Sequence, residues 1–321
     1  MPLPALGLNC NIGIGRETVW GTSVARTKFN ELVRFSGGLK IDRSFGAAFR
    51  GIQKRRHFAA KRFAEFETVV EGYYEGIEHY LKALFNTFSP TTGPTNVTVM
   101  THTYTPTVLL LPGWSIEIEK DVQAFLYEGA KASSGTFSFA IDQLMQLAIQ
   151  WFAEDETQVS HTAPTYPPET QARWDQCTIE VDDVAFDCRS IELTMDNKLN
   201  TDRRKLGTTL IKEPARGARM EVTGRFEADF EAVGDFYNKY ANNTEFKVEV
   251  IQTGATIAGS SPATSESIAF TLPRCIATGE PIEIVDEGVI KAGLSFEAIF
   301  QPTGSLDAIS CIVKNSVTTP I

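Results

Sequence analysis

The chain has 321 residues, is 42% hydrophobic and 22% charged, and carries a formal net charge of −10. That apolar content suits packed cores and excludes wholesale disorder, and the length fits two domains of about 100–150 residues each. An acidic surface repels phosphates, which argues against a simple nucleic-acid-binding role.

Five cysteines (Cys10, Cys177, Cys188, Cys275 and Cys311) are odd in number, widely spaced and without a Cys-x-x-Cys pair, as expected for reduced thiols in a cytoplasmic setting. The first residues lack a basic region ahead of an apolar core, and no run of about 18 apolar residues occurs. Neither a signal peptide nor a membrane span is expected.

In chain order, residues 1–30 are Gly-rich and aperiodic and read as an extended arm. Residues 39–42 open a strand pattern, followed by a basic loop over 43–62 and a strand over 65–74 rich in β-branched side chains. Ile77, Tyr80, Leu81, Leu84 and Phe85 recur at helical spacing, which predicts a short amphipathic helix over 76–85. Pro90 and Gly93 end it. Strands are expected at 97–104, 107–111 and 115–119, and a hairpin at 131–140 and 144–153. Pro164, Pro167 and Pro168 mark a polar linker, with Trp174 as an anchor near its end. Then come a strand at 190–195, a second basic loop at 198–216, a strand at 218–226 and a short helix at 230–240. Strands at 245–252, 267–272, 281–285, 290–300 and 308–313 complete the chain.

The order of these elements repeats. Leu39 to Asp42 (LKID) matches Leu193 to Asp196 (LTMD) at an offset of 154. Val70 to Tyr74 (VEGYY) matches Val222 to Phe226 (VTGRF) at an offset of 152, and 145–153 matches 290–298 at 145. The expected division is an arm over 1–30, a first β-rich module over 31–155, a linker over 156–176 and a second module over 177–321.

The two loops at equivalent places are both basic. The first carries Arg43, Arg50, Lys54, Arg55, Arg56, Lys61 and Arg62 with no acid, and the second carries Lys198, Arg203, Arg204, Lys205, Lys212 and Arg216 against Asp202 and Glu213. The remainder of the chain holds 17 basic and 38 acidic residues. A loop of one sign on a body of the other is a natural head-to-tail contact, and such contacts build rings or filaments. Nucleic-acid binding by these loops is a weaker alternative, since their aromatic content is limited to Phe45, Phe49 and Phe58.

No catalytic constellation emerges. The four histidines (His57, His79, His102 and His161) form no zinc-binding spacing, and His102 reads as a satisfied strand histidine. Gly13 and Gly15 lack the third glycine and the βα context of a dinucleotide loop, and Asp182 with Asp183 reads as a solvated turn. No enzyme activity, cofactor or metal site is expected.

The run from Gly15 to Thr22 (GRETVWGT) resembles the N-terminal signature of tail tube proteins from long-tailed, non-contractile bacteriophages. The run from Phe125 to Phe139 ending in Leu147 to Phe152, and the second-half runs Ile191 to Asn197 and Ala218 to Phe226, resemble the same family. The similarity extends from about Gly13 to Phe300. It implies a mainly β fold: two tandem tail-tube β-sandwich or half-barrel modules, each with a short flanking α-helix. Six modules close a ring, so two fused modules imply a homotrimer with pseudo-hexameric symmetry, stacked into a tube through which DNA is delivered. The implied partners are further copies of the chain, a tape-measure protein in the lumen, and tail terminator and distal tail proteins at the ends. DNA passes without specific binding. The implied location is the virion tail, assembled in the host cytoplasm. Within that frame Arg50, Lys54, Arg55, Arg56, Lys61, Arg62, Lys198, Arg203, Arg204 and Lys205 are expected at ring-to-ring contacts. The alternative is a two-module β-sandwich that binds carbohydrate at a cell surface, which would expose aromatics on one sheet face.

Overall fold

The computed structural model describes residues 10–45, 56–93, 96–108, 111–168, 170–229, 237–279, 282–283 and 291–317. Strands take 58% of residues and helices 6%, so the core lies between sheets. The first half contributes β1 (Asn11–Arg16), β2 (Lys28–Glu31), β3 (Arg34–Phe45), β4 (His57–Glu71), α1 (Glu78–Phe85), β5 (Thr87–Gly93), β6 (Asn96–Thr105), β7 (Trp114–Glu119), β8 (Ala124–Ala140), β9 (Gln146–Ala153) and β10 (Asp155–Val159). The second half contributes β11 (Cys177–Val181), β12 (Val184–Ala185), β13 (Ser190–Asp196), β14 (Leu199–Asn200), β15 (Ala215–Arg216), β16 (Glu221–Asp229), α2 (Tyr237–Ala241), β17 (Phe246–Thr256), β18 (Ser265–Ala277), β19 (Ile282–Glu283), β20 (Lys291–Ala298) and β21 (Ser310–Asn315).

Alternation drives the strands. In β13, Ile191, Leu193 and Met195 are buried, while Glu192 between them is exposed. Helix α1 is buried along its whole length and stops at Asn86, whose φ of 68° breaks the helical path.

Three antiparallel layers result. A seven-stranded sheet runs β3–β4–β9–β8–β13–β16–β20. A second runs β2–β1–β7–β8–β10, and a third β12–β11–β17–β18–β21–β6–β5. The long β8 serves two layers. Its first part pairs with β7 and β10, and its last part with β9 and β13. Strand β18 behaves likewise: it pairs with β17 and β21, then crosses to β20 at Cys275. The crossing follows Pro273, close to the Phe246/Val248 register shift, where a strand tolerates a residue without an N–H.

The layers share one core. Phe66 and Tyr127 rings lie 4.2 Å apart, Phe137 and Phe270 4.5 Å, and Phe226 and Phe296 5.0 Å. Each such buried side chain contributes about 1.5–3 kcal/mol.

Seven pairings of the first half recur in the second. The set β1·β2, β1·β7, β7·β8, β8·β10, β3·β4, β4·β9 and β8·β9 reappears as β11·β12, β11·β17, β17·β18, β18·β21, β13·β16, β16·β20 and β18·β20. Residue offsets inside the strands differ from the sequence matches. Leu39 faces Ala64 and Leu193 faces Gly224, an offset of 160 for the partners against the 152 read from Val70 and Val222. The difference is even, so each side chain keeps its face.

Several elements depart from the sequence reading. Residues 11–16 and 28–30, expected within an extended arm, belong to strands hydrogen-bonded into a sheet. Thr107 and Val108 lie outside any strand. The expected linker contains β10 and a 3-10 turn at Trp174–Gln176. Of the second helix only Tyr237–Ala241 falls within the described residues as helix.

Candidate assembly surfaces

The seven-stranded sheet has one face in the core and one away from it. The outward face reads in rows across both halves: Glu67, Gln150, Ser134, Asp196 and Glu221 in one, and Glu71, Gln146, Ser138, Glu192, Arg225 and Ser295 in another. Between them lie Thr136, Thr194 and Thr223. These rows are mainly small polar and acidic side chains with Arg225 among them, and beyond them the same face carries Phe63, opposite Lys40, stacked on Phe152 with ring centres 5.2 Å apart. Phe152 is buried and Phe63 half-buried, and among the described residues the rows across the junction present no exposed aromatics of the kind a carbohydrate-binding sheet would need.

The basic segments are positioned by strands. Arg43 lies two residues before the end of β3 and Arg56 one residue before β4, at the same end of that antiparallel pair; Arg50, Lys54 and Arg55 lie outside the described residues. Arg56 is exposed, with exposed Phe45 and Phe58 beside it. Lys61 sits 4.3 Å from the Phe63 ring centre and 3.8 Å from Asp202 of the second segment. Arg62 pairs with Asp155 at 2.6 Å, and its backbone N–H donates to Thr209 O at 2.9 Å. The second basic segment therefore lies along β4 of the first half.

That second segment is anchored at both ends. Asn197 is buried and donates to Leu84 O and Ala132 O, while Arg216 donates to its Oδ1 at 2.8 Å. Lys198 bridges Asp196 and Glu221, which raise its pKa. Lys131, fully buried on β8, donates to Glu213 Oε1 at 2.8 Å and Pro214 O at 3.0 Å. Arg203 donates to Glu213 O and Arg204 pairs with Asp202 at 2.7 Å. Lys205 and Leu206 are exposed at the tip. Basic side chains of one half thus meet acids dispersed through both halves. Spacing gave no sign of Asp155, Glu213 and Glu221 as their partners, because these acids belong to distant strands and to the segment itself.

The Gly15-to-Thr22 run has a structural role. Glu17 is buried and accepts hydrogen bonds from Ser115 Oγ at 2.9 Å, Gly129 N at 2.8 Å and Gly21 N at 2.8 Å. Burial pushes its pKa up. Trp20 Nε1 donates to Gly129 O at 2.9 Å and its ring covers Gly129, whose φ of +65° and crowded Cβ direction both call for glycine. The run therefore ties the segment after β1 to β7 and to the bend in β8.

His102 Nε2 lies 3.2 Å from Asn315 Oδ1 and 3.0 Å from Val317 O. Asp182 and Asp183 turn between β11 and β12 with positive φ. Glu180, Asp183 and Glu249 cluster nearby, and Lys247 Nζ fills that acidic group at 2.6 Å from Asp183 and 2.9 Å from Glu249. Among the described residues no helix is long and apolar enough to cross a membrane.

A family model described as phage tail tube protein matches residues 7–298. The chain belongs to the phage tail tube protein family. No curated protein matches the sequence. Membership makes the chain a structural component of a virion tail that self-assembles into a tube, in a family not known for enzymes. The Glu17 and Trp20 lock and the bend of β8 lie within the matched residues.

Proposed function

We propose that three copies close into a ring of six β modules, that rings stack into the tube of a long, non-contractile tail, and that DNA is delivered through its bore. In this reading residues 31–155 and 177–321 are the two modules and 156–176 connects them. The observation that carries it is the seven-stranded sheet, which crosses from one half to the other without interruption and turns a polar, acidic face outward. As the wall of a bore, that face would repel the DNA backbone and let it slide. Closing such a sheet between copies also removes the open edges on which β proteins aggregate.

The ring-to-ring contacts are assigned to the β3–β4 hairpin end with Arg50, Lys54, Arg55 and Arg56, and to the exposed tip at Lys205 and Leu206. Lys61, Arg62, Lys198, Arg203 and Arg204 support those ends through the ion pairs described above. A tape-measure protein would occupy the lumen during assembly in the host cytoplasm, with terminator and distal tail proteins at the ends.

Negative-stain microscopy with mass measurement tests this reading. Rings of three chains that stack into tubes are expected. Monomers that persist at high concentration, or rings of six whole chains, would defeat it. Arg56→Glu with Lys205→Glu should leave the ring intact and stop stacking; tubes of normal length would remove the ring-to-ring assignment.

A further inference from the structure

We infer that neighbouring copies are joined by an antiparallel ladder between β3 of one copy and the end of β18, continued by β19, of the next. The inference rests on the ring reading and specifies its seam.

The chain contains its own template. Strand β8 of the first half pairs with β13 of the second, in register from Ala140 opposite Ser190 to Ser134 opposite Asp196. By the recurring pairings, β13 is the counterpart of β3, and β8 is the counterpart of β18 with β19. Both β8 and β13 have partners on both edges. Among the described residues β3 pairs only with β4, while Ile276, Ala277 and β19 pair only with β20. The two open edges are the counterparts of the two strands that already pair. Exchanging the roles of the halves joins the open edges of successive copies in one direction, a heterologous contact that closes a ring.

The open edges have matching chemistry. On β3, Lys40 and Asp42 are exposed and Ile41 retains 39% exposure, large for an apolar side chain on a strand. The Leu39 amide is capped by Glu156 Oε2 at 3.1 Å, a carboxylate guarding an edge that a neighbour's carbonyl would take over. The even-numbered β3 residues share the outward face with Glu67, and Ile276 shares it with Glu297, so one continuous face would run across the seam.

The seam between copies has less than the junction within a chain. Inside the chain β6 pairs with β21, a second ladder in the third layer. Strand β6 belongs to the β5–β6 hairpin, and the second half runs from α2 to β17 with only residues 242–245 between them, so it has no such hairpin.

Cysteine pairs test the seam in assembled tubes. Lys40→Cys or Asp42→Cys is combined with Ile276→Cys or Thr278→Cys in one chain, and oxidised assemblies are run on non-reducing gels. At least one pair should give covalent dimers and trimers, with the series ending at trimer, while each single variant gives none. Thr136→Cys with Thr194→Cys serves as the control for closure across the ladder within a chain. Tubes that form while every pair stays monomeric and the control closes would overturn the seam and leave the ring reading standing. Unmodified protein that never assembles would overturn both.

Discussion

Thr136 of β8 and Thr194 of β13 face each other across the junction between the two halves, with their hydroxyl oxygens 3.0 Å apart. On the core side of the same ladder Phe137 is paired with Leu193, both fully buried. Two halves that share a ladder and a core should not unfold separately.

Leu193→Ala is therefore expected to destabilise the whole chain by about 2–5 kcal/mol. All four tryptophans (Trp20, Trp114, Trp151 and Trp174) precede the second half, so their fluorescence reports on the first half and on the connection to the second. In urea unfolding, the tryptophan transition should move with the far-UV circular dichroism transition in this second-half variant. Tryptophan signals left unshifted would show that the halves are energetically independent.

The same junction predicts the result of cutting the connection. Thr165 and Tyr166 lie in an exposed, proline-flanked stretch that is outside the sheets. A protease site inserted there should be cleaved readily, and the two fragments should still co-elute as one particle in the absence of denaturant. Separation into two folded fragments on cleavage would contradict the two shared ladders.

Glu17→Ala removes the acceptor for Ser115 Oγ, Gly129 N and Gly21 N. Leaving buried donors unpaired costs about 1–3 kcal/mol each where water cannot reach them, so a total loss of about 2–4 kcal/mol is expected. Thermal melts should show it, and Glu17→Gln should recover part of the loss by keeping one acceptor oxygen. An unchanged melt for Glu17→Ala would show that the lock contributes nothing.

Glu154 sets a pH response. Burial, with Asp155, Glu128 and Glu17 nearby and only Lys205 opposing them, raises its pKa to about 7. A carboxyl whose folded pKa lies above its ordinary value stabilises the fold while protonated. Its contribution is complete below the ordinary value of 4.5 and is lost as pH rises through about 7. Glu154→Gln should flatten the fall in melting temperature between about pH 5 and about pH 8. An equal fall in both proteins would place the pH response elsewhere.

What the sequence made legible follows from local chemistry. Strand β13 and helix α1 were readable because Ile191, Leu193 and Met195 alternate and Ile77, Leu81 and Phe85 recur by fours. The first part of β8 was not, because Gly129 at the bend and the charged Glu128 interrupt the alternation. Strand β10 reads DETQV, a polar composition suited to a half-exposed strand that periodicity does not register. The basic charge of both segments was plain, but the direction it takes was not. Asp155 is distant in sequence from the charges that Arg62 brings to it, and only the ladder places them together. The β6–β21 pairing spans most of the chain and leaves no local trace at all.

The β5–β6 hairpin makes the two halves unequal on the side away from the outward face of the joined sheet. In a ring of three chains the bore would meet its contents with six similar walls, while the exterior would carry three hairpins. Such a tube has two symmetries at once: a smoother one for cargo, and a coarser one for whatever grips the outside. An outer ligand with three arms would then find every arm seated in the same way, whereas one with six would meet two kinds of site.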